Sequence, residues 1–207
     1  MSEELLVSVE DGIMTMTMNR PQAKNAMNKS MSHAIAKAVD RFEADAEIRV
    51  AILTGAGGTF CSGMDLKGFL AGETPVVKGR GFAGLTQYSP AKPLIAAAEG
   101  FALAGGFELL LSCDLVVATE TTKFGIPEVK RSLVAGAGGV FRLPQQIPPR
   151  IAMELALTGD HYDAKRMYEV GLINEIVPEG QALEGAKKLA ARILSLIHIS
   201  EPTRQSL

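Results

Sequence analysis

Cysteine is close to absent. Cys61 and Cys113 are the two present, each inside an apolar stretch, which suits buried thiols in a reducing compartment and excludes a disulfide framework. Long apolar runs are missing too. Nothing approaches the roughly 18 to 20 consecutive apolar residues a membrane helix needs, and residues 1–10 lack the positive charge and continuous apolar core of a secretion signal. A cytoplasmic protein without a membrane partner is the expectation. Nor does charge of one sign dominate: the formal net charge is −2, and Lys and Arg are scattered singly, leaving no basic stripe to attract nucleic acid. The chain does have 47% hydrophobic residues over 207 positions, enough for one compact domain with a sizeable core. It also has 21 glycines, mostly paired or clustered, so tight turns and close backbone approach matter.

Hydrophobic periodicity lays out an α/β chain. Residues 5–10 and 13–19 flank Asp11-Gly12, with Met14, Met16 and Met18 alternating against Ile13, Thr15 and Thr17, the pattern of a β-hairpin. Past Arg20-Pro21, Asn28 can cap a helix whose Met31, Ile35, Ala38, Val39 and Phe42 share one stripe. Residues 49–54 form a buried strand that runs into the glycine-rich turn at 55–58, and a short helix follows over 65–70. Residues 72–90 are polar, rich in Gly and Pro and weakly periodic, which predicts a mobile surface segment. Strands at 94–98 and 114–118 then alternate with helices opening at Gly105-Gly106, at Pro127 and within 136–139. Pro148-Pro149 begins a helix through Leu157, Asp163 caps another through Val170, and residues 172–177 make a last strand before a helix over 184–194. The alternation is that of βα units, with no linker and no internal repeat of fixed period.

The chemistry concentrates at glycine turns and two acids. A glycine turn feeding a helix leaves unpaired backbone N–H groups at the helix's positive end, as at Ser62-Gly63-Met64-Asp65 and at Ala104-Gly105-Gly106. Each alone is more often only a turn. The clusters at 55–58 and 136–139 match neither a phosphate loop nor a dinucleotide fingerprint. Glu108 sits among Phe107, Leu109, Leu110 and Leu111, where a charge faces apolar neighbours and burial demands a reason; a first-turn acid complementing the helix dipole is the plainer account. Glu128 follows Pro127 at a helix start, where capping explains an acid equally well. Twenty residues separate the two glutamates, so only the fold can bring them together.

Ser62-Gly63-Met64-Asp65, Ala104-Gly105-Gly106-Phe107-Glu108, Phe124-Gly125-Ile126-Pro127-Glu128 and Gly136-Ala137-Gly138-Gly139 resemble, in order and spacing, the successive signatures of the crotonase (enoyl-CoA hydratase) superfamily. Arg20-Pro21, Asn25-Ala26-Met27-Asn28, Leu157-Thr158-Gly159-Asp160 and Gly171-Leu172-Ile173-Asn174 match as well, so the resemblance covers residues 5 to 193. It implies a crotonase-like α/β fold, a spiral of repeated ββα units with surrounding helices. It also implies hydration of a 2-enoyl-CoA: the N–H groups of Met64 and Gly105 form an oxyanion hole, Glu108 acts as the base on water, and Glu128 acts as the acid towards Cα. The stretch 64–67, with Met64, Asp65, Leu66 and Lys67, together with Ser62 and the turn at Ala23-Lys24, resembles the part of the family's site that receives the CoA moiety; Lys24 and Lys67 are the residues to meet its phosphates. No metal and no cofactor are implied, coenzyme A being part of the substrate. His33, His161 and His198 lie outside every motif and are expected to be structural or exposed.

The resemblance implies a homotrimer or a dimer of trimers. It also implies helices beyond residue 194, whereas residues 195–207 lack that helical pattern and include Pro202, so they read as a non-family tail after a catalytic domain at 1–194. A truncation or a sequence artefact is the expectation, with pocket closure and assembly in question. Both glutamates favour a hydratase over family members that keep one. The run Arg142-Leu143-Pro144-Gln145-Gln146-Ile147-Pro148-Pro149 is similar to that of carnitinyl-CoA dehydratases, which makes dehydration of a 3-hydroxyacyl-CoA the alternative. An acyl-CoA-binding module without turnover is the alternative of another class.

Overall fold

In the computed structural model residues 3–200 are described, the last four by backbone alone. Strands β1 (Leu5–Glu10) and β2 (Ile13–Met18) pair antiparallel across the turn at Asp11 and Gly12, whose φ values of 51° and 77° are those a two-residue hairpin turn requires. Alternation then points Met14, Met16 and Met18 into the core. Helix α1 (Lys29–Ala44) starts where Asn28 accepts a hydrogen bond from the Met31 amide at 2.9 Å, and it buries Met31, Ile35, Val39 and Phe42 on one stripe. Its far end is closed from a distance. The Lys92 ammonium donates to the carbonyls of Phe42, Asp45 and Ile48 at 2.7 to 2.8 Å.

Strand β3 (Val50–Gly55) lies parallel to β2 and begins a spiral. After it, Cys61 is bridged to Ala102 in parallel and α2 (Leu66–Leu70) follows. Residues 71–93 contain the small hairpin β4 (Val76–Val77) and β5 (Gly81–Phe82). The next turn of the spiral runs β6 (Leu94–Ala98), β7 (Phe101–Leu103) and α3 (Gly105–Leu110); the next runs β8 (Leu115–Thr119), β9 (Lys123–Gly125) and a 3-10 helix (Pro127–Arg131). In each turn the first strand joins the large sheet, the second stretch joins the small sheet, and a helix starts from its end. Helices α4 (Gly139–Gln146) and α5 (Pro149–Thr158), strand β10 (Tyr162–Asp163), α6 (Ala164–Glu169), β11 (Glu175–Val177) and α7 (Ala182–Ser200) complete the chain. The large sheet has the order β1-β2-β3-β6-β8-β11 and is parallel from β2 onwards; the small sheet has the order β10-β9-β7.

Period-2 alternation splits the core in two. Ala51, Leu53, Leu94, Ala96 and Ala98 face the main core, while Val50, Ile52, Ile95, Ala97 and Val117 face α7. The helix meets them with Ala182, Ala186 and Ala190, one residue every turn, and small side chains allow close approach to the sheet. Both cysteines are free and buried, and burial pushes the Cys61 thiol up to about 12. Among the described residues no helix is long and apolar enough to cross a membrane.

Two expectations are corrected. Residues 72–90 are not a surface excursion: Ala83 and Leu85 are fully buried in the main core and Phe82 nearly so, a contribution without periodicity and therefore without a signal in the pattern. The repeating unit has no fixed period, as expected, because the first turn of the spiral carries that same insertion. The last helix passes Leu194 and runs to Ser200, so residues 195–200 are helical; the rest of the expected tail lies outside the described residues.

Lys92 is a stability hinge between α1 and β6. Replacing it by Met keeps the stem and removes three charge-assisted hydrogen bonds, leaving three carbonyls in a half-buried site. Lys92→Met is expected to lower unfolding free energy by about 3 kcal/mol, read as a shifted urea midpoint with an unchanged slope.

Candidate active site

Three successive turns of the spiral deliver their helix starts to one place. Met64 precedes α2, Gly105 opens α3, and Glu128 lies in the 3-10 helix, and all three line one cavity of about 820 Å³ together with Glu108. The first two turns are held side by side by the backbone. Cys61 donates its N–H to the Phe101 carbonyl at 2.9 Å and accepts from the Leu103 N–H at 3.1 Å, while a Cβ on Gly106 would collide with the Cys61 carbonyl. Gly63 turns at φ 106°, and a Cβ there would stand 3.0 Å from the Ala104 Cβ and 3.4 Å from the Gly105 nitrogen. Both glycines are required for the approach.

Ala104 adopts φ 51° and ψ −131°, a conformation that is strained for a residue with a Cβ. It is locked by its N–H donating to Gly125 and its carbonyl accepting from Phe107 and Glu108, at 2.9 to 3.0 Å. The strained turn leaves the Gly105 N–H without a hydrogen-bond partner among the described residues, and the same holds for the Met64 N–H, since its neighbours Gly63 and Asp65 make the contacts to Met27. Two backbone donors on adjacent turns are thus left unpaired at residues that line one cavity.

The glutamates differ in their surroundings. Glu108 is 3% exposed. Burial pushes its carboxyl up from the usual range, and the amides of Gly139, Ala137 and Gly138 with the charge of Arg142 pull it back; its Oε1 accepts from the Gly139 N–H at 2.8 Å. Glu128 is half-buried, and its Oε2 is buried without a partner among the described residues. Burial first, and the charge of Glu108 second, push Glu128 up to about 7. Glu108 thus has backbone donors from residues 137–139, whereas Oε2 of Glu128 has no partner among the described residues.

The residues expected to receive CoA divide. Ser62 and Leu66 line the cavity with Met64, whereas Ala23, Lys24, Asp65 and Lys67 lie outside its lining. Asp65 caps α2, accepting from Lys67 and Gly68, and pairs with Arg20 at 2.8 Å, which holds its carboxyl below the usual range. The Lys24 carbonyl accepts from the Ser62 N–H at 3.1 Å, fixing the turn at Ala23-Lys24 against the cavity edge, and its ammonium rests 4.9 Å from the centre of the Phe101 ring. Lys67 is exposed. His33 and His161 are exposed as expected, but His161 also lines the cavity; the side chain of His198 lies outside the described residues. Sequence patterns missed Phe82, Thr86 and Gln87, which come from the non-periodic insertion, and Lys130 and Arg131, whose place in the turn after Glu128 was the available signal.

The model of the family described as enoyl-CoA hydratase/isomerase matches residues 8–203. The chain belongs to that family. Among curated members of the family, the carnitinyl-CoA dehydratase of Salmonella typhi is 40% identical over 199 residues, an alignment covering 94% of this chain and 76% of the relative. Among solved members, an enoyl-CoA hydratase from Mycobacterium tuberculosis H37Rv is 56% identical with a TM-score of 0.91, covering 92% of this chain and 75% of that one. A carnitinyl-CoA hydratase from Mycobacterium avium is 43% identical with the same TM-score, covering 94% and 76%. The crotonase-like fold of this family is thus the fold found here.

Holding Glu128 in this site has a thermodynamic sign. A carboxyl at about 7 in the fold, against an ordinary value near 4.5, is protonated in both states at low pH; its ionisation opposes folding progressively as pH rises through that interval. Glu128→Gln removes the burden. The expected result is a melting temperature raised by about 3 °C at pH 8 and unchanged at pH 4, measured by thermal unfolding at both.

Proposed function

We propose that the protein adds water across the double bond of a 2-enoyl-CoA thioester to give a 3-hydroxyacyl-CoA, acting as a hydro-lyase. The observation that carries this reading is the convergence of Glu108 and Glu128 from different turns of the spiral on one cavity, one accepting from the Gly139 N–H and the other pushed up to about 7 by burial and the charge of Glu108. Glu108 takes a proton from water as the water oxygen bonds to Cβ. The π electrons move towards the thioester carbonyl, whose oxygen gains charge between the Met64 and Gly105 N–H groups, and Glu128 delivers its proton to Cα. Both carboxyls work from the same side, so addition is syn.

The CoA moiety enters past Ser62 and Leu66, with Ala23 and Asp65 shaping the rim and Lys24 and Lys67 meeting phosphates. The reaction draws on no metal and no cofactor beyond the coenzyme A of the substrate. Residues 1–194 act as the catalytic domain, in the cytoplasm, and the exposed apolar side chains Phe141, Met153 and Leu157 on α4 and α5 support self-association as a trimer or a dimer of trimers. Dehydration of a carnitinyl-CoA is the second reading, favoured by the 40% identity to proteins named carnitinyl-CoA dehydratase. The same two carboxyls serve it in reverse.

Incubation with crotonyl-CoA, followed by the conjugated enoyl-thioester absorbance, tests the reading. Glu108→Gln and Glu128→Gln are each expected to lower kcat by about 10² to 10⁴ while thioester binding persists. The pH profile of kcat should fall on the alkaline side as Glu128, at about 7 in the free site, loses its proton. Binding without turnover in the unaltered chain would instead indicate a non-catalytic acyl-CoA-binding protein.

A further inference from the structure

Glu108 takes its hydrogen bond from a stretch of chain that has little local structure to hold it still. The donor, the Gly139 N–H, opens α4, and the residues before it, Gly136-Ala137-Gly138, include two glycines, the residue with the most backbone freedom to lose. Two side chains of α4 anchor the helix. At its far end the Gln146 amide donates to the Leu111 carbonyl at 2.9 Å, tying α4 to the end of α3. At its start Arg142 donates through Nη2 to the Thr86 carbonyl at 2.6 Å and through its backbone N–H to the Gly138 carbonyl at 2.8 Å. The guanidinium lies against Gly138, which turns at φ 119° and where a Cβ would collide with Nη1, while a Cβ on Gly139 would stand 3.1 Å from Glu108 Oε1. Arg142 is half-buried and lies outside the lining of the cavity, and it forms no ion pair among the described residues.

We propose that Arg142 is a positioning residue for Glu108: by tying the start of α4 to the Thr86 carbonyl, it keeps the Gly139 amide on the carboxylate that acts on water. The inference rests on the hydration reading for the task of that carboxylate. The charge of Arg142 works in the same direction as its tether. Burial pushes the Glu108 carboxyl up, and the amides of residues 137–139 together with the Arg142 charge pull it down, so loss of Arg142 removes one opposing influence and loosens the others. A base has to be ionised before it takes a proton from water, and a raised value therefore moves the acid limb of activity to higher pH. The other charged or titratable groups that share the cavity with Glu108 are Glu128, Lys130 and Arg131 in the 3-10 helix and His161 before β10; α3 and α4 carry none besides Glu108 and Arg142.

Carboxyl-carbon NMR of the whole chain, labelled at glutamate, follows the ionisation of Glu108 without any substrate, its signal assigned by its loss in Glu108→Gln. Arg142→Met is expected to raise the Glu108 midpoint by about one pH unit and Arg142→Lys to leave it near that of the unaltered chain. Gln146→Leu, which frees the other end of α4 and keeps the charge, is expected not to move it. With crotonyl-CoA the acid limb of the rate should shift with the midpoint, and the loss should fall on kcat rather than KM. If Arg142→Met does not fold, Arg142→Gln takes its place; it keeps a donor for Thr86, drops the charge, and is expected to shift the midpoint in the same direction. An unmoved midpoint overturns the proposal, as does an equal shift in Gln146→Leu or a loss of kcat that is the same at every pH. A moved midpoint in a chain that does not turn over crotonyl-CoA upholds the positioning of Glu108 and sinks hydration alone.

Discussion

A carbonyl of Cys61 pressed against the backbone of Gly106 holds two chain reversals together, and the site depends on that contact. With any side chain at Gly106 the first and second turns of the spiral would part, and the Met64 and Gly105 N–H groups would no longer share one cavity. The parallel bridge from Cys61 to Ala102 sets the register of the approach, and the strained Ala104 sets the direction in which the Gly105 amide points. The strain persists because both polar groups of Ala104 are satisfied, the N–H by Gly125 on the next turn of the spiral and the carbonyl by the first turn of α3.

Local signals specify most of the scaffold. Asp11-Gly12 between alternating runs determines a hairpin and its register, Asn28 and Asp163 determine where helices begin, and the i, i+4 stripe of α1 determines which face is buried. These are short-range interactions, readable from neighbours in sequence. The insertion at 71–93 is different: Ala83 and Leu85 are buried through contacts with distant elements, and nothing in their own surroundings in the sequence announces it. The same holds for the cap on α1, where the donor is Lys92, far along the chain from Phe42.

The site divides along the same line. Glu108 is anomalous in sequence because it interrupts an apolar run, and its burial in the structure fits that anomaly. Glu128 carries no such mark; its capping position is ordinary, and only the resemblance to a family singled it out. What no local pattern contains is the asymmetry between them, which arises because the amide of Gly139 reaches Glu108 and no donor reaches Oε2 of Glu128. Arg131 was equally silent, since a solvent-facing arginine and one on a cavity wall look alike in a sequence.

The spiral has a consequence for how such a protein can change. On the proposed mechanism the donors for an oxyanion sit at the first two helix starts, whereas the proton-carrying groups sit one turn inside α3 and at the third start, in the 3-10 helix. Polarisation of a thioester and movement of protons are therefore housed in separable parts of one repeating frame. On the same mechanism an exchange at residue 108 or 128 rewrites which protons move and when, and leaves the grip on the carbonyl in place. A lineage built on this frame can explore new reactions of the same activated carbon without first losing its hold on the substrate.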